Sequence, residues 1–515
     1  MESACLRHTE LPNTSRLFAD YLYHHDRVAP FYSVNGHRPE FPPERRAALV
    51  AALREQNGDS ESLDRLAQPG TVAYVTGQQV GLFSGPAYTI YKALTAVRLA
   101  EDSIKRGIPA VPVFWLATED HDFAEVNHAW TFDTESRPVP LTVNGVQETE
   151  QPVGNIPIAH WPIEQLRAAM TGLTYADEVM TAVEQSYEPG VTMGRAFLEL
   201  LRRLLSKYGL LFVDPLHPAI RSIAAPMLRE TVEHAPFLSE LLLARNKELA
   251  DAGYHAQVHV EQKTSLFFLL DGHRRIALKR QNGYYLSKDR RYTPAELADQ
   301  AEHISPNALL RPVVQDYILP TAAYVGGPAE LAYLAQSQVI YREILGYMPQ
   351  LKPRSGFTIL DSRASKLMKR YNLRLQDFFH GEDAVRETVA SRLVPPNLTG
   401  HFHEATQSAS KTIDQLFGEV NSFDPTLGAA LAKSRAKILY QFTKIEAKVA
   451  RETMRRSERA VADAASLCNL LMPHKHLQER FYSILPFLAR HGFDLVDRVY
   501  DNVHLDCPDH ILLSL

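Results

Sequence analysis

Two short apolar runs joined by one amphipathic segment constrain the fold of this chain most strongly. TVAYVT at 71–76 is rich in β-branched residues, and AVPVFWLA at 110–117 has the length and content of a strand buried on both faces. Residues 86–106 between them have apolar side chains at helical spacing. Because βαβ crossovers are right-handed, both strands should end at one edge of a parallel sheet, where open α/β sheets bind ligands.

A glycine-rich loop follows the first run. Gly77, Gly81 and Gly85 are four apart, whereas a dinucleotide fingerprint needs Gly-x-Gly-x-x-Gly and a P-loop needs Lys-Ser/Thr after its last glycine. Two interpretations remain open, an anion-binding loop at a helix N-terminus and a tight turn with proline at the first helical position. The substrate-binding candidates here are Gln78, Gln79, Gly81, Ser84, Gly85, Tyr88 and Lys92.

An acidic cluster, TEDHDFAEVNH at 118–128, follows the second run. Such a cluster can bind a divalent metal, hold an amine or perform acid–base chemistry, and a solvated acidic loop is the alternative. Beside an anion-binding loop, it suits a substrate that has both anionic and ammonium groups. The catalytic candidates are Glu119, Asp120, His121 and Asp122; His128 is a substrate-binding candidate, and we assign no metal ligand.

Further candidates lie at three later strand ends. LLFVD at 210–214 reads as a parallel strand ending in Asp214, and a strand at 318–325 leads into a second glycine turn and a helix. A basic turn at 352–355 could clamp a phosphate or carboxylate. Plain turns, a packed tyrosine and a solvated basic loop are the alternatives. The candidates are Asp214, Gly326, Gly327, Glu330, Tyr333, Lys352 and Arg354, with Arg311 and Gln315 beside them.

The remaining pattern indicates inserts and a helical arm. We expect a helical leader at 14–58, short antiparallel strands at 133–165, a helix at 178–208 and a β-hairpin at 254–293, where DG and NG turns occur. From about 397 the composition favours long helices, and Leu431, Ile438 and Ile445 recur every seven residues. The spacing predicts a coiled-coil hairpin at 397–468, although one amphipathic helix packed on the core would also fit.

Composition excludes several classes of protein. The net charge of −5 gives no basic footprint for nucleic acid, and 45% hydrophobic residues over 515 allow a large core. Cys5, Cys468 and Cys507 form no CxxC pair, which fits a reducing compartment. No apolar run reaches the roughly 18–20 residues of a membrane span, and no signal core begins the chain. We therefore expect a cytoplasmic protein without a membrane or nucleic-acid partner.

Several of these motifs resemble one family. TGQQVGLFSGPAYTIYKA (76–93), VPVFWLATEDHDFAEVNHAW (111–130), PTAAYVGGPAELAYLAQ (320–336), PRSGFT (353–358) and LMPHKHLQER (471–480) are similar to, and in the same order as, the bacillithiol biosynthesis cysteine-adding enzymes. The resemblance implies a nucleotidylyl-transferase-like Rossmann core with inserts at 1–396, a dimerising coiled-coil arm at 397–468, and a C-terminal segment at 469–515 that packs back on the core. It also implies a second nucleotide site near Lys475, His476 and Arg480, for which capping and ion pairing are the alternative.

Two functions remain open at this point. The family's reaction joins the cysteine carboxyl to the amine of glucosaminyl-malate, and such a C–N ligase needs an activated carboxylate. We expect ATP or another adenine nucleotide, with Mg²⁺ possible, in an adenylate-type fit because no P-loop lysine is present. The alternative is a non-catalytic, nucleotide-binding dimer that scaffolds or regulates thiol biosynthesis. Asp120, His121 and Asp122 facing Gln78, Gln79 and Ser84 would favour catalysis.

Overall fold

The computed structural model describes residues 4–34, 39–146 and 150–515. The chain divides into two compact units. The first comprises Met1–Thr134, Pro138–Thr358 and Glu479–Leu513, and the second comprises Glu135–Arg137, Ile359–Gln478 and Ser514–Leu515. The domain limits predicted from the sequence, 396/397 and 468/469, stay predictions.

A five-stranded parallel sheet forms the centre of the first unit. Its strands are β1 (Val72–Gln79), β2 (Ala110–Ala117), β3 (Leu211–Val213), β4 (Thr321–Gly326) and β5 (Gln350–Pro353). They lie in the order β5-β4-β1-β2-β3, and every pairing is parallel. The predicted Rossmann-like α/β class is confirmed. Because the strand order reverses between β1 and β4, their carboxyl ends flank a topological switch point.

Helices cover both faces of this sheet, which explains why its strands are continuously apolar. On one face, Val72 and Tyr74 pack with Leu99 of helix α1 (Tyr88–Lys105). On the other, Ala73 and Val75 belong to a core that includes apolar residues of helix α2 (Pro218–Asp251) and helix α3 (Pro328–Ile340). Alternate side chains of β1 thus pack into the two cores on opposite faces of the sheet.

The other helices lie between and after the strands. The stretch predicted as one helix at 178–208 is two, Ala176–Glu184 and Met193–Leu204, because Pro189 and Gly190, which has φ +84°, interrupt it. The predicted leader contains Arg16–Tyr23 and Pro43–Asn57; its residues 35–38 lie outside the described part. Further α-helices are Glu61–Ala67, Phe123–Val126, Ile163–Met170, Pro294–Ala298, Arg311–Ile318, Gln478–Phe481, Leu485–His491 and Asp494–Asp501.

Two antiparallel insertions interrupt the parallel sheet. The hairpin predicted at 254–293 is part of a five-stranded sheet of Thr264–Asp271, Arg274–Gln281, Tyr284–Leu286, Arg291–Tyr292 and Ile304–Pro306. Its NG turn has positive φ at both Asn282 and Gly283, as a type I′ hairpin turn requires. Within 133–165, only Pro138–Thr142 is a strand, and it pairs with the preceding His128–Phe132; residues 147–149 lie outside the described part.

Two further strands bring the chain ends together. Ala4–Leu6 pairs antiparallel with His510–Ser514, and Gly356–Leu360 is also a strand. The sulfur atoms of Cys5 and Cys507 lie 3.9 Å apart beside this pairing.

The second unit consists mainly of helices. They are Ser362–Arg370, Glu382–Leu393, Pro396–Phe423, Pro425–Arg455 and Glu458–Leu471. Asp424 breaks the two longest and caps the second by accepting from the N–H of Thr426 at 2.6 Å. The Arg435 guanidinium joins the two through Asp414 at 2.8 Å. Within the described residues, no helix combines the length and apolarity that crossing a membrane requires.

Candidate functional site

A cavity of about 520 Å³ lies at the carboxyl ends of β1, β2 and β4. This is the sheet edge where parallel α/β sheets bind ligands, and the volume is within the range of small-molecule sites. Gln79 Nε2 donates to Asp120 Oδ2 at 2.8 Å, so the ends of β1 and β2 meet at one edge, as βαβ geometry requires. The sequence candidates that line the cavity are Gln78, Gln79, Tyr88, Lys92, Glu119, Asp120, His121, Arg311, Gly327, Glu330, Tyr333, Arg354 and Arg480.

The end of β2 contributes carboxylates and an imidazole. Asp120 Oδ1 accepts from the backbone N–H of His121 at 2.8 Å, while its Oδ2 accepts from Gln79. Glu119 is buried and pairs with Arg221 at 2.7 Å; burial raises the pKa of Glu119, and Arg221 opposes that shift. His121 Nδ1 lies 2.9 Å from an Arg275 nitrogen, and burial together with Arg275 lowers the pKa of His121.

A buried ion pair connects β1, α1 and α3. Lys92 Nζ lies 2.5 Å from Glu330 Oε2 and donates to Gly77 O at 2.9 Å and Gln78 Oε1 at 3.0 Å. Glu330 also accepts from the Tyr324 hydroxyl and from the backbone N–H of Gly327. Burial would raise the pKa of Glu330, but Lys92 and these donors outweigh it and hold the pKa below its ordinary value.

A second buried ion pair links the strand ends to the C-terminal segment. Arg354 donates to both oxygens of Glu479, at 2.6 and 2.9 Å, and only 7% and 2% of the two side chains are exposed. The guanidinium carbon of Arg354 lies 5.0 Å from the centroid of the Tyr88 ring, and that of Arg480 lies 5.8 Å from it. Cations therefore surround this tyrosine, and burial raises the pKa of its hydroxyl.

Arg311 and Arg480 differ from the other cations that line the cavity. Arg311 donates to the Tyr333 hydroxyl at 2.7 Å and to Gln315 at 3.3 Å. Within residues 4–34, 39–146 and 150–515, neither Arg311 nor Arg480 has a carboxylate partner within ion-pair distance. Both remain able to neutralise an anionic ligand.

After Gln79 the glycine loop does not line the cavity, so the placement of Gly81, Ser84 and Gly85 favours the tight-turn interpretation. Ser84 is fully buried, and Phe83, Ser84 and Gly85 have positive φ values of 50°, 74° and 65°. The N–H groups of Gly81 and Gly85 already donate to the carbonyls of Gln79 and Leu82. Gly81, Ser84 and Gly85 therefore present no open donor to an anion in this structure.

Other candidates also lie away from the cavity lining. Asp122 caps the short helix Phe123–Val126, and exposed His128 contacts Asn127. Asp214 accepts from the Thr118 hydroxyl and, within the turn after β3, from the backbone N–H of Leu216. Gly326 accepts from the Arg354 N–H, and Lys352 is half-buried in β5. Lys475 and His476 are exposed and belong to the second unit, whereas Arg480 belongs to the first.

Sequence analysis missed several residues that line the cavity. Arg275, Phe268 and Asn307 come from the antiparallel insert, and Tyr324 and Trp115 lie within β4 and β2. Arg275 is one of several basic residues on its hairpin, so composition could not single it out. Glu479 supports the cavity through its ion pair with Arg354. It belongs to the LQER motif at 477–480, in which only the basic residue was considered as a ligand-binding candidate.

Across the parts of the chain that the structure describes, no three His, Cys, Asp or Glu side chains converge as a metal ion would require. The carboxylates at the end of β2 are instead engaged by Gln79, Arg221 and Arg275.

Comparison with known proteins gives a consistent result along the whole chain. Residues 1–355 match the profile described as "Bacillithiol biosynthesis BshC, N-terminal Rossmann-like domain", and 357–515 match its "C-terminal coiled-coil domain". A Solibacter usitatus protein is 56% identical over 99% of both chains, and a Koribacter versatilis protein is 36% identical over 99% of both. A Salinibacter ruber protein is 33% identical over 97% of this chain and 96% of its own. All three are named "Putative cysteine ligase BshC". Because the two profiles together span nearly the whole chain, it belongs to the BshC family of bacillithiol biosynthesis.

Proposed function

We propose that this protein is a cysteine ligase that forms an amide between the carboxyl of cysteine and the amine of glucosaminyl-malate in the cavity at the switch point. One observation carries the proposal: the cavity combines a carboxylate at the end of β2 with two arginines, Arg311 and Arg480, that have no carboxylate within ion-pair distance among the described residues. Glucosaminyl-malate has the complementary groups, an amine and two carboxylates. The assignment is supported by the names of the relatives, which describe a cysteine ligase.

The side chains suggest how the substrate would be oriented. Arg311 and Arg480 suit the malate carboxylates, since bidentate arginine–carboxylate pairs are strong and directional. Asp120 suits the amine, because its carboxylate is held by Gln79 and by a backbone N–H, with an Arg275 nitrogen 3.6 Å from Oδ1, and can accept a further hydrogen bond. In this arrangement Asp120 would accept a proton from the attacking amine.

Amide formation from a free carboxylate in water is uphill, so the cysteine carboxyl needs activation. When bound, an adenine nucleotide would supply that activation, and its phosphates would compete with the malate carboxylates for Arg311 and Arg480. The cavity volume of about 520 Å³ suits one ligand of drug-like size. The nucleotide and the substrate would therefore have to occupy different parts of the cavity or bind one after the other.

Reconstitution tests this proposal. Purified protein is incubated with cysteine, glucosaminyl-malate and ATP, with and without Mg²⁺, and the amide product is detected by mass spectrometry. We expect the product only when all substrates and an activator are present. No product with any nucleotide, combined with calorimetric binding of ATP, would instead favour the non-catalytic scaffold. No heat with ATP, ADP or AMP would remove the nucleotide from the mechanism.

A further inference from the structure

Arg275 is fixed in one orientation beside the cavity. Its Nε donates to the Ser305 hydroxyl at 3.0 Å, and one terminal nitrogen donates to the Pro306 carbonyl at 2.9 Å. The guanidinium carbon lies 3.9 Å from the centroid of the Phe268 ring, and only 7% of the side chain is exposed. Contacts on three sides leave the guanidinium little freedom to rotate.

The other terminal nitrogen of Arg275 meets His121. It lies 2.9 Å from His121 Nδ1. Arginine can only donate, so Nδ1 must accept and cannot itself carry a proton. A neutral imidazole whose Nδ1 accepts carries its proton on Nε2.

We propose that Arg275 is a positioning residue that holds His121 as the neutral Nε2–H tautomer, so that His121 offers a ligand a hydrogen-bond donor while Asp120 remains the acceptor. The catalytic consequence rests on the proposed function, because a donor beside the reacting carboxyl would stabilise the oxygen on which negative charge develops. The tautomer itself rests only on the geometry.

The charged groups around His121 shift its pKa in opposite directions. Arg275 approaches from the insert strand, Asp120 and Asp122 lie on the same loop as His121, and Glu150, in the segment before the insert, binds Arg274 and Lys288. Burial and Arg275 lower the pKa of His121, whereas the three carboxylates oppose that shift. Removal of Arg275 alone should therefore raise the pKa and release Nδ1.

Nitrogen NMR on ¹⁵N-histidine-labelled protein tests the tautomer without any assay of activity. The chain has 21 histidines, so the His121 signals are assigned by their loss in His121→Gln. For the wild type at neutral pH, we expect an unprotonated Nδ1 and a protonated Nε2. A protonated Nδ1, or a charged ring at neutral pH, would overturn the proposal. This outcome is independent of whether the amide forms, so it is distinguishable from failure of the proposed function.

Variants at two arginines of one strand distinguish a positioning role of Arg275 from a general effect on the structure. In Arg275→Met, the His121 titration midpoint should move to higher pH, and the two tautomers should exchange. Arg275→Lys, which keeps the charge and a donor, should restore part of the wild-type signature. Arg280→Met is the matched control, because Arg280 lies on the same strand and donates to Gln262 rather than to His121. An Arg275→Met spectrum identical to the wild type would contradict the inference, and the wild-type spectrum remains decisive if that variant fails to fold.

Discussion

At the scale of single residues, Glu479 shows how a buried charge supports the cavity. Its carboxylate accepts from both terminal nitrogens of Arg354 and from the backbone N–H of Phe357. Burial alone would raise its pKa, but Arg354 and the other donors hold the pKa at about 2, compared with 4.5 ordinarily. Because the folded pKa is depressed, the stabilisation is complete above pH 4.5 and is lost as the pH falls towards about 2.

The substitution Glu479→Gln should therefore lower the free energy of unfolding at neutral pH by about 3 kcal/mol. It should also flatten the pH dependence of stability between about pH 4.5 and pH 2. Urea denaturation at several pH values measures both effects. Glu452→Gln is the control, because Glu452 also has a pKa of about 2 but is exposed, and solvent screens its pairs with Arg455 and Arg456. Equal effects of the two substitutions would contradict this account.

Sequence patterns predicted the cavity residues at strand ends better than the cavity residues that distant segments contribute. Gln79 and Asp120 could be paired because βαβ geometry brings consecutive strand ends together. Ser84 was placed on a plausible anion-binding loop, but the conformation of that loop is set by three consecutive positive φ values that no motif predicts. Arg275 reaches His121 across 154 positions of the chain, a contact that only the folded insert creates.

At the scale of elements, the loop that carries Asp120 is clamped by the segment Val153–Asn155. The N–H of Val153 donates to the Asp120 carbonyl at 2.6 Å, and the N–H of Gly154 donates to the Thr118 carbonyl at 2.9 Å. A Cβ atom on Gly154 would lie 2.4 Å from Thr118 Cβ, so only glycine allows this approach.

Gly154→Ala should lower the free energy of unfolding by about 1–3 kcal/mol, because overpacking forces the two segments apart. It should also reduce product formation, since Asp120 moves with the loop. Calorimetric melting and the product assay check the two effects. Gly418→Ala, on helix Pro396–Phe423 with no neighbouring atom within 4 Å of the added Cβ, should leave stability unchanged or raise it by up to about 1 kcal/mol. Unchanged melting of Gly154→Ala would show that the clamp is dispensable.

Four strands of the parallel sheet and helix α1 followed from hydrophobic periodicity, and the elements predicted with other bounds have local causes. Pro189 and Gly190 divide the predicted 178–208 helix. The hairpin at 254–293 was expected from its DG and NG turns, but two short strands, Arg291–Tyr292 and Ile304–Pro306, enlarge it to a sheet. Strands of two or three residues are too short for period-2 alternation to identify.

At the scale of the whole molecule, the arm exposes apolar side chains that a partner would cover. On helix Pro425–Arg455, the residues Leu427, Ile438 and Ile445 are 49%, 43% and 50% exposed, and Phe423 just before it is 85% exposed. The heptad spacing and the match to a coiled-coil domain favour a second copy of the chain as that partner.

Light scattering should therefore give a mass of twice 58.0 kDa for the full protein. Ile438→Glu combined with Ile445→Glu should shift it towards the monomer, because each places a charge in an apolar seam. Ala436→Glu adds the same kind of charge to the same helix outside the seam and should leave the mass unchanged. A monomeric wild-type protein would count against the dimer.

The relation between distant segments is the part of the fold that sequence analysis could not supply. The cysteines suggested no pairing, yet antiparallel pairing of Ala4–Leu6 with His510–Ser514 brings Cys5 and Cys507 to 3.9 Å. Glu479 reaches Arg354 in the same way, through a return of the chain after the long helices. Neither contact has a local signature, because each joins residues more than a hundred positions apart.

The central claim is that the cavity at the switch point is where the amide forms, and Asp120→Asn tests it most directly. Asn keeps the size and one acceptor oxygen of Asp but removes the charge that would receive the amine proton. With cysteine, glucosaminyl-malate and an activator, we expect Asp120→Asn to lose product formation while its melting temperature stays near that of the wild type. Asp102→Asn, an exposed aspartate on helix α1 paired with Arg106, should keep wild-type activity. Product formation by Asp120→Asn at the wild-type rate would contradict the account.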